Sequence, residues 1–305
     1  MNRRQFLAGS AAAFAPLDAA IAGNIIDTHT HFYDPSRPQG VPWPSKNDPV
    51  LYRTVLPGEF RRLTKPYGIK GTVVVEASPL LEDNQWVLDL AAKDKTLVGT
   101  VGHLQPGKPD FPKHLERFHK NRLFLGIRLG RLWGSTGRED PPEREFVEHV
   151  KMLAEAGLEV DLIGGARLMT DAVRLSDAVP DLRIVINHLP ADRPKEPADR
   201  TAFEGALKEI ARRPLIYAKV SGVLRRVNGQ VPSDVAYYKP ALDELWEIFG
   251  EDRVVYGSNW PVSDKMAPYG TVFQVVRDYF MGKGQDAAEK YFWKNSRKAY
   301  RWVAR

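Results

Sequence analysis

Eight short apolar runs, separated by segments with helical spacing, constrain the fold of this 305-residue chain more than any other feature. They cover residues 24–27, 70–76, 97–102, 123–129, 158–163, 182–187, 215–220 and 253–257. Most are apolar almost throughout, as expected of strands that helices cover outside and side chains fill inside. Eight strands that alternate with helices predict a parallel sheet closed into a (β/α)8 TIM barrel, which typically needs about 250 residues.

The segments between the runs support this interpretation. Apolar residues at helical spacing precede Gly157, and a second such segment from Leu242 to Phe249 precedes Gly250. Glycine after the last apolar residue of such a pattern is typical of a helix end. The proline-rich stretches 34–49 and 190–197 are predicted to be loops after the first and sixth strands, where loops shape a substrate pocket.

The N-terminus has a different character from the rest of the chain. Arg3 and Arg4 precede Phe6 and an alanine-rich apolar stretch that ends in the sequence Ala-Ile-Ala at 20–22. A basic start, a short apolar region and a small-residue cleavage site predict a signal peptide, here a twin-arginine one read by the Tat export machinery. We therefore expect a signal segment 1–22, a barrel domain 23–305 and a periplasmic location, with no membrane span.

Composition excludes several kinds of chemistry. The chain has no cysteine, so disulfides, thiolate metal ligands and cysteine nucleophiles are ruled out. The formal charge is +6, or +5 without the signal segment, and the basic residues are scattered rather than clustered in a run. A nucleic-acid partner is not expected, and a small-molecule substrate is. The oligomeric state is left open.

Catalytic residues of such a barrel lie where its strands end, and several polar side chains fall there. His29 and His31 follow the first run two positions apart, so that both side chains point the same way in an extended chain. His188 directly follows the sixth run. Three imidazoles suit Zn²⁺, which accepts nitrogen ligands and keeps one position open for water. Other polar residues at strand ends are Asp27, Glu76, His103, Arg128, Lys219, Ser221 and Asn259.

These motifs resemble a known family over essentially the whole chain after the signal segment. The matching sequences are Asp27-Thr28-His29-Thr30-His31-Phe32, Gly126-Ile127-Arg128, Asn187-His188, Lys219-Val220-Ser221-Gly222 and the run 249–262. They are similar to the amidohydrolase-related branch of the amidohydrolase superfamily, and within it to sugar-lactone and dicarboxylate-lactone hydrolases. The resemblance implies that His29 and His31 bind a metal or polarise a carbonyl, and that His188 positions water or substrate.

The chain departs from the family pattern at the end of the eighth strand. The resemblance implies a carboxylate there that takes a proton from water, but this chain has Asn259, whose carboxamide has no basic site. Asp264 in the same loop is the first candidate for the missing base, and Glu76, Asp161 and His188 are others. Asp264 would otherwise be a helix N-cap. Asn259 would orient water or hydrogen-bond the substrate.

Further residues are predicted to contact substrate. Arg128, in an otherwise apolar strand, suits a carboxylate or lactone oxygen, although a structural ion pair with Glu76 or Asp161 explains it equally well. Glu76, His103 and Trp260 complete the predicted substrate-contacting set. The remaining histidines are expected to be solvated on helices; they are His114, His119 and His149.

The sequence therefore predicts a hydrolase of a small carbonyl compound, with a lactone favoured over other esters or amides. A divalent metal such as Zn²⁺ would assist, or polar residues would act alone. Two alternatives stay open: a decarboxylase of an unsaturated or aromatic acid on the same barrel, and a barrel that binds a small ligand without turnover, which Asn259 suggests.

Overall fold

The computed structural model describes residues 21, 24–130, 132, 143–164, 166 and 168–305. The predicted signal segment lies outside these residues except for Ile21, which is fully buried in the main hydrophobic core. Within the described ranges no helix is both long and apolar enough to cross a membrane.

Eight strands lie side by side in chain order, and every neighbouring pair from β1–β2 to β7–β8 is parallel. A parallel bridge between Thr30 and Trp260 brings the first strand next to the end of the last. The sheet is thus a nearly closed barrel with alternating helices, as predicted. The strands are β1 (Ile25–Thr30), β2 (Ile69–Val75), β3 (Leu97–Gly102), β4 (Phe124–Leu129), β5 (Glu159–Leu162), β6 (Arg183–Leu189), β7 (Ile216–Val220) and β8 (Val254–Tyr256).

One helix follows each strand and covers the outside of the barrel. These are α1 (Pro57–Thr64), α2 (Leu81–Lys93), α3 (Phe111–Phe118), α4 (Glu143–Glu155), α5 (Leu168–Ala178), α6 (Pro197–Ala211), α7 (Val235–Phe249) and α8 (Tyr269–Gly282). The short helices α9 (Gln285–Glu289) and α10 (Asn295–Tyr300) flank a π-helical turn, Lys290–Lys294.

Local chemistry explains where α7 begins and ends. The Asp234 carboxylate accepts a hydrogen bond from the Ala236 N–H at the first turn, which satisfies a donor that the helix itself leaves open. Gly250 follows the last residue with a φ of 65°, a conformation that glycine adopts without steric cost. The predicted stop at Gly250 is confirmed.

Two strands are longer than predicted. β1 continues through His29 to Thr30, and β6 continues through His188 to Leu189. Polar residues inside the barrel extend β1, because the Thr30 hydroxyl bonds the Thr72 hydroxyl of β2 at 2.7 Å and thereby satisfies a buried group. The apolar runs alone therefore underestimated the length of the two strands that carry the histidines.

Candidate active site

The candidate site forms where β1 meets the end of β8. The Asp27 carboxylate accepts hydrogen bonds from the His29 N–H (3.1 Å), the Ser258 N–H (2.9 Å) and the Tyr269 hydroxyl (3.1 Å). The Asn259 N–H then donates to the His29 carbonyl at 2.9 Å. Asp27 is fully buried and thus acts as a structural link that sets Asn259 directly beside His29.

Three imidazoles gather at this end of the barrel, as the sequence predicted. The ring centres of His29 and His31 are 5.0 Å apart, and those of His29 and His188 are 4.5 Å apart. His29 is fully buried, and neither of its ring nitrogens has a hydrogen-bond partner among the described residues. Because buried polar atoms are nearly always satisfied, these nitrogens point to a ligand.

The other two rings are fixed through one nitrogen each. His31 Nδ1 lies 3.0 Å from the Val75 carbonyl, to which it donates, so Nε2 is left as the acceptor. His188 Nδ1 lies 3.0 Å from the Ser221 hydroxyl. A hydrogen bond at one ring nitrogen orients the other, which is how proteins prepare imidazoles for a metal or a substrate.

The surroundings keep all three rings neutral. Burial, followed by the positive charge of Arg128, lowers the pKa of His31 to about 3. Burial and then Lys219 lower the pKa of His188 to about 3, and the same two causes lower the pKa of His29 well below its ordinary value. Neutral imidazoles carry the lone pairs that a metal ion or a polarised proton requires.

Two residues of the site have an unusual backbone. His188 has a φ of 59° and Asn259 has a φ of 61°, both in the left-handed region. Such a conformation costs a non-glycine residue of the order of 1 kcal/mol or more, although asparagine tolerates it better than most. Both strained residues were predicted from the sequence to belong to the site. Their left-handed backbone gives their side chains a direction that ordinary strand geometry would not.

A buried ion pair lies deeper in the barrel. The Lys219 ammonium of β7 donates to the Asp161 carboxylate of β5 at 2.5 Å, and the Tyr300 hydroxyl donates to the second oxygen of Asp161 at 2.9 Å. All three side chains are buried. The Asp161 carboxylate is therefore occupied by these two hydrogen bonds and is not a free base. The sequence pattern did not reveal this pairing between distant strands.

A second ion pair lies beside the histidines. Arg128 Nε donates to Glu76 Oε1 at 2.8 Å, and Arg128 Nη2 donates to the Glu76 carbonyl at 2.8 Å. Arg128 thus forms the ion pair with Glu76 that the sequence analysis gave as the alternative to substrate contact. His103 lies close enough to both charges for Glu76 to raise its pKa and Arg128 to lower it, although burial, the largest effect, lowers it overall.

A small cavity of about 20 Å³, room for one water molecule, opens next to this pair. Glu76 and Trp43 line it, and the Trp43 ring lies 5.5 Å from that of His31. In the same wall Arg37 pairs with Asp83 at 2.6 Å. The sequence analysis missed Trp43, although it lies in the loop that was expected to shape the pocket.

The described contacts of Asp264 are with Arg53 and Trp260. Its carboxylate is 3.6 Å from Arg53 Nη2 and is hydrogen-bonded by Trp260. It is not an N-cap, because Pro261 precedes the 3₁₀ turn Val262–Lys265 that contains it. Burial is the main effect on its pKa, which it raises. The described contacts therefore do not bring Asp264 to the histidines as a base.

Trp260 and His149 are both buried. Trp260 is 1% exposed and packs against Phe32 and Phe60, and its contact with substrate stays a prediction. His149 was expected to be solvated, which is wrong: it is buried, accepts a hydrogen bond from the Gly107 N–H at 2.8 Å and stacks on Phe111. It lies on the inner face of α4, against the loop and helix that follow β3.

The remaining two histidines are partly exposed on α3. His114 pairs with Asp110, and His119 pairs with Glu116. Both lie within the helix or at its end, as expected for histidines without a role in the site.

The donor set fits a divalent metal. His29 offers buried nitrogens without partners, and His31 and His188 each keep one nitrogen beyond their structural bonds. Imidazole nitrogen is a preferred ligand of Zn²⁺. Among the described residues no group of three or more His, Asp or Glu side chains is arranged so that it could hold a metal ion, so the fit rests on the kind and state of the donors and not on a preformed ligand geometry.

A parallel barrel with neutral imidazoles gathered at the carboxyl ends of its strands defines a barrel enzyme with a histidine-based centre. The family model described as amidohydrolase matches residues 26–302, and the chain belongs to that family. The predicted family is confirmed.

Several named proteins and solved structures are similar to this chain. The L-fucono-1,5-lactonase of Burkholderia ambifaria is 29% identical over 248 residues, which cover 80% of this chain and 83% of that protein. A crystal structure of an amidohydrolase from Burkholderia multivorans with bound zinc has a TM-score of 0.77 at 20% identity, over 92% of this chain and 99% of that one. The 5-carboxyvanillate decarboxylase of Sphingomonas paucimobilis has a TM-score of 0.64 at 16% identity, over 92% of this chain and 100% of that one.

Proposed function

We propose that this chain hydrolyses a small lactone at the centre formed by His29, His31 and His188. The observation that carries the proposal is the pair of buried ring nitrogens of His29 that have no partner among the described residues. The name of the Burkholderia ambifaria relative, a sugar lactonase, supports the substrate class.

The side chains of the centre have different roles. The bonds to Val75 and Ser221 hold the rings of His31 and His188 in place. Asn259, fixed beside His29 by its backbone, orients the attacking water or a substrate oxygen through its carboxamide. A divalent metal held by the three histidines would lower the pKa of water toward about 7 and polarise the lactone carbonyl. Such a centre needs only a weak base, which makes the absence of a carboxylate at 259 tolerable.

The charges beside the histidines favour an uncharged lactone. Arg128 is neutralised by Glu76, and Arg37 is neutralised by Asp83. A guanidinium already engaged with a carboxylate offers little net attraction to a substrate carboxylate. The paired arginines therefore suit hydroxyl groups better than an anionic ring.

Turnover of a panel of sugar lactones tests the proposal, with release of acid followed by a pH indicator and solvent oxygen traced with ¹⁸O-labelled water. We expect hydrolysis of neutral lactones with label in the product, and loss of activity in His29→Gln. The control His119→Gln, at the residue that follows α3, keeps full activity. A wild-type protein that opens no lactone in the panel contradicts the proposal.

Decarboxylation is the second candidate, because Arg128 lies at the mouth and the fold resembles that of a decarboxylase. Release of carbon dioxide from an aromatic acid without uptake of solvent oxygen distinguishes it from hydrolysis. Binding of a ligand without either product identifies the third alternative, a non-catalytic barrel.

We also propose that residues 1–22 direct export by the Tat machinery to the periplasm. The support is the sequence alone, with Arg3 and Arg4 before an apolar stretch. A fusion to a reporter that is active only after export tests it. Replacement of both arginines by lysine abolishes the signal, whereas an unchanged signal contradicts the proposal.

A further inference from the structure

A cavity of about 450 Å³ lies at the end of the barrel opposite the histidines. Residues at the starts of the first three strands form one wall, and the C-terminal segment forms the other. Its lining contains the four basic residues Lys70, Lys95, Arg297 and Arg305 together with Trp293 and Trp302, and no Asp or Glu.

The positive charges of the cavity are not neutralised by the described part of the chain. Lys70, Lys95 and Arg297 are exposed, and none has a carboxylate within 4.0 Å among the described residues. The carboxylate next to Lys95 in sequence, Asp94, is taken by Arg61 and by the Thr96 hydroxyl.

The fourth cation is held in place by backbone rather than by an acid. Arg305 Nη1 donates to the carbonyls of Ala91 and Leu97, and these bonds fix the guanidinium at the cavity wall. Neutral carbonyls satisfy its N–H groups but do not cancel its charge. The cavity therefore has a fixed positive charge in addition to the flexible lysines.

Two tryptophans give the cavity a second recognition element. Trp302 is buried, and the Arg297 guanidinium lies 5.7 Å from the centre of its ring. The Trp302 N–H donates to Ser296, but the buried N–H of Trp293 has no partner among the described residues. Both tryptophans line the cavity, so parts of two aromatic side chains lie in the same wall as the cations.

The cavity continues into a second basic cleft. This cleft shares Lys70 and Thr96 with the cavity and adds Arg61, Arg62 and Lys65. Its lining also contains no acidic residue. Arg61 is paired with Asp94, but Arg62 and Lys65 add positive charge beside Lys70, so a ligand with more than one negative group can span the cavity and the cleft.

We propose that this basic cavity binds a small anion with several phosphate or carboxylate groups, at the opposite end of the barrel from the histidines. The four cations hold the negative oxygens, and the tryptophan side chains in the wall contact the rest of the ligand. The inference is independent of the lactone reaction, since the cavity shares no residue with the histidine centre.

Titration calorimetry at low ionic strength with inorganic tripolyphosphate and, separately, with citrate tests the proposal on the full chain. We expect one site with a dissociation constant below about 1 mM for at least one of the two probes. The stronger probe identifies the anionic group, phosphate or carboxylate. Quenching of tryptophan fluorescence on binding provides a second readout.

A double variant tests whether the anion binds in this cavity. Lys70→Gln with Arg297→Gln is expected to weaken binding at least about tenfold. The matched control, Lys113→Gln with Lys208→Gln, removes the same charge from exposed positions on α3 and α6 and leaves binding unchanged. Equal weakening in both double variants, or no binding of either probe at 1 mM, overturns the proposal.

Discussion

The carboxylate of Asp27 in β1 accepts a hydrogen bond from the backbone N–H of Ser258, which lies 231 residues later at the end of β8. The same carboxylate also holds the N–H of His29. One buried side chain thus joins the first and last strands and fixes the two backbone segments that carry His29 and Asn259.

We expect Asp27→Ala to lower the free energy of unfolding by about 3 kcal/mol, because two buried N–H groups lose their acceptor at about 1–3 kcal/mol each. Asp27→Asn should cost less, since the carboxamide oxygen still accepts from both. Urea denaturation measures the difference. Equal losses in the two variants would show that the hydrogen bonds are not the cause.

Removal of His29 should remove the metal. After incubation with Zn²⁺ and removal of excess, wild type is expected to retain about one ion per chain, and His29→Ala close to none. Elemental analysis of the purified protein gives the ratio without any activity assay. His119→Ala, which alters the histidine that directly follows α3, serves as the control. Full retention in His29→Ala would sink the assignment of the three histidines as ligands.

Asn259→Asp should raise the rate of lactone hydrolysis at neutral pH by about tenfold or more, because it supplies a general base beside the imidazoles. Aspartate tolerates the left-handed backbone that Asn259 adopts, with its φ of 61°, so the loop need not move. Steady-state kinetics with unchanged circular dichroism checks the prediction. An unchanged rate would mean that the imidazoles already suffice.

Glu159 should make stability depend on pH. Burial, and then repulsion from Asp161, raises its pKa well above 4.5 in the folded chain. Above about pH 4.5 the unfolded chain loses a proton that the folded chain still holds, so the free energy of unfolding falls as pH rises. Glu159→Gln has no such proton and should show a flatter profile between pH 7 and 8, above the range in which the three buried histidines titrate in the unfolded chain.

Denaturation at several pH values measures this slope. Glu155→Gln, which changes an exposed residue on α4, should keep the wild-type slope. A Glu159→Gln profile parallel to that of wild type would rule out Glu159 as its source.

Glu76→Gln should change substrate preference. It leaves the Arg128 guanidinium, 2.8 Å away, without its counter-charge. We expect the ratio of kcat/KM for carboxylate-bearing lactones to that for neutral lactones to rise at least about fivefold, since an unpaired guanidinium attracts carboxylates. A fall in both values with an unchanged ratio would mean that the ion pair is purely structural.

The barrel could be predicted from the sequence because the patterns that indicate its strands and helices are local. Apolar runs of strand length and glycine stops such as Gly250 repeat regularly along the chain. The two-residue spacing of His29 and His31 on one strand also located the site, because alternate residues of a strand share a face. His188 could be added because it directly follows another run.

Interactions between distant strands could not be predicted in the same way. Lys219 and Asp161 lie 58 residues apart, and the contact between Asp264 and Arg53 is not indicated by the pattern of the loop that contains Asp264. The choice between substrate contact and ion pair for Arg128 depended on where Glu76 points. His149 was misassigned because charged neighbours in sequence do not show which face of α4 is covered.

The bonds between β1 and the end of β8 also have a consequence for how the chain reaches its active form. The bonds to Tyr256 and Ser258 join residues 228 and 231 positions apart, and the bond from Tyr269 of α8 to Asp27 joins residues 242 positions apart, all among the largest separations in the described part of the chain. Contacts of such separation carry a large loop-closure cost and are expected to form late in folding. Asn259 reaches His29 only when this last strand docks, so a chain with seven strands in place has three histidines but no complete centre. Recovery of catalysis during refolding would therefore report barrel closure, whereas recovery of helix content would report only the earlier steps.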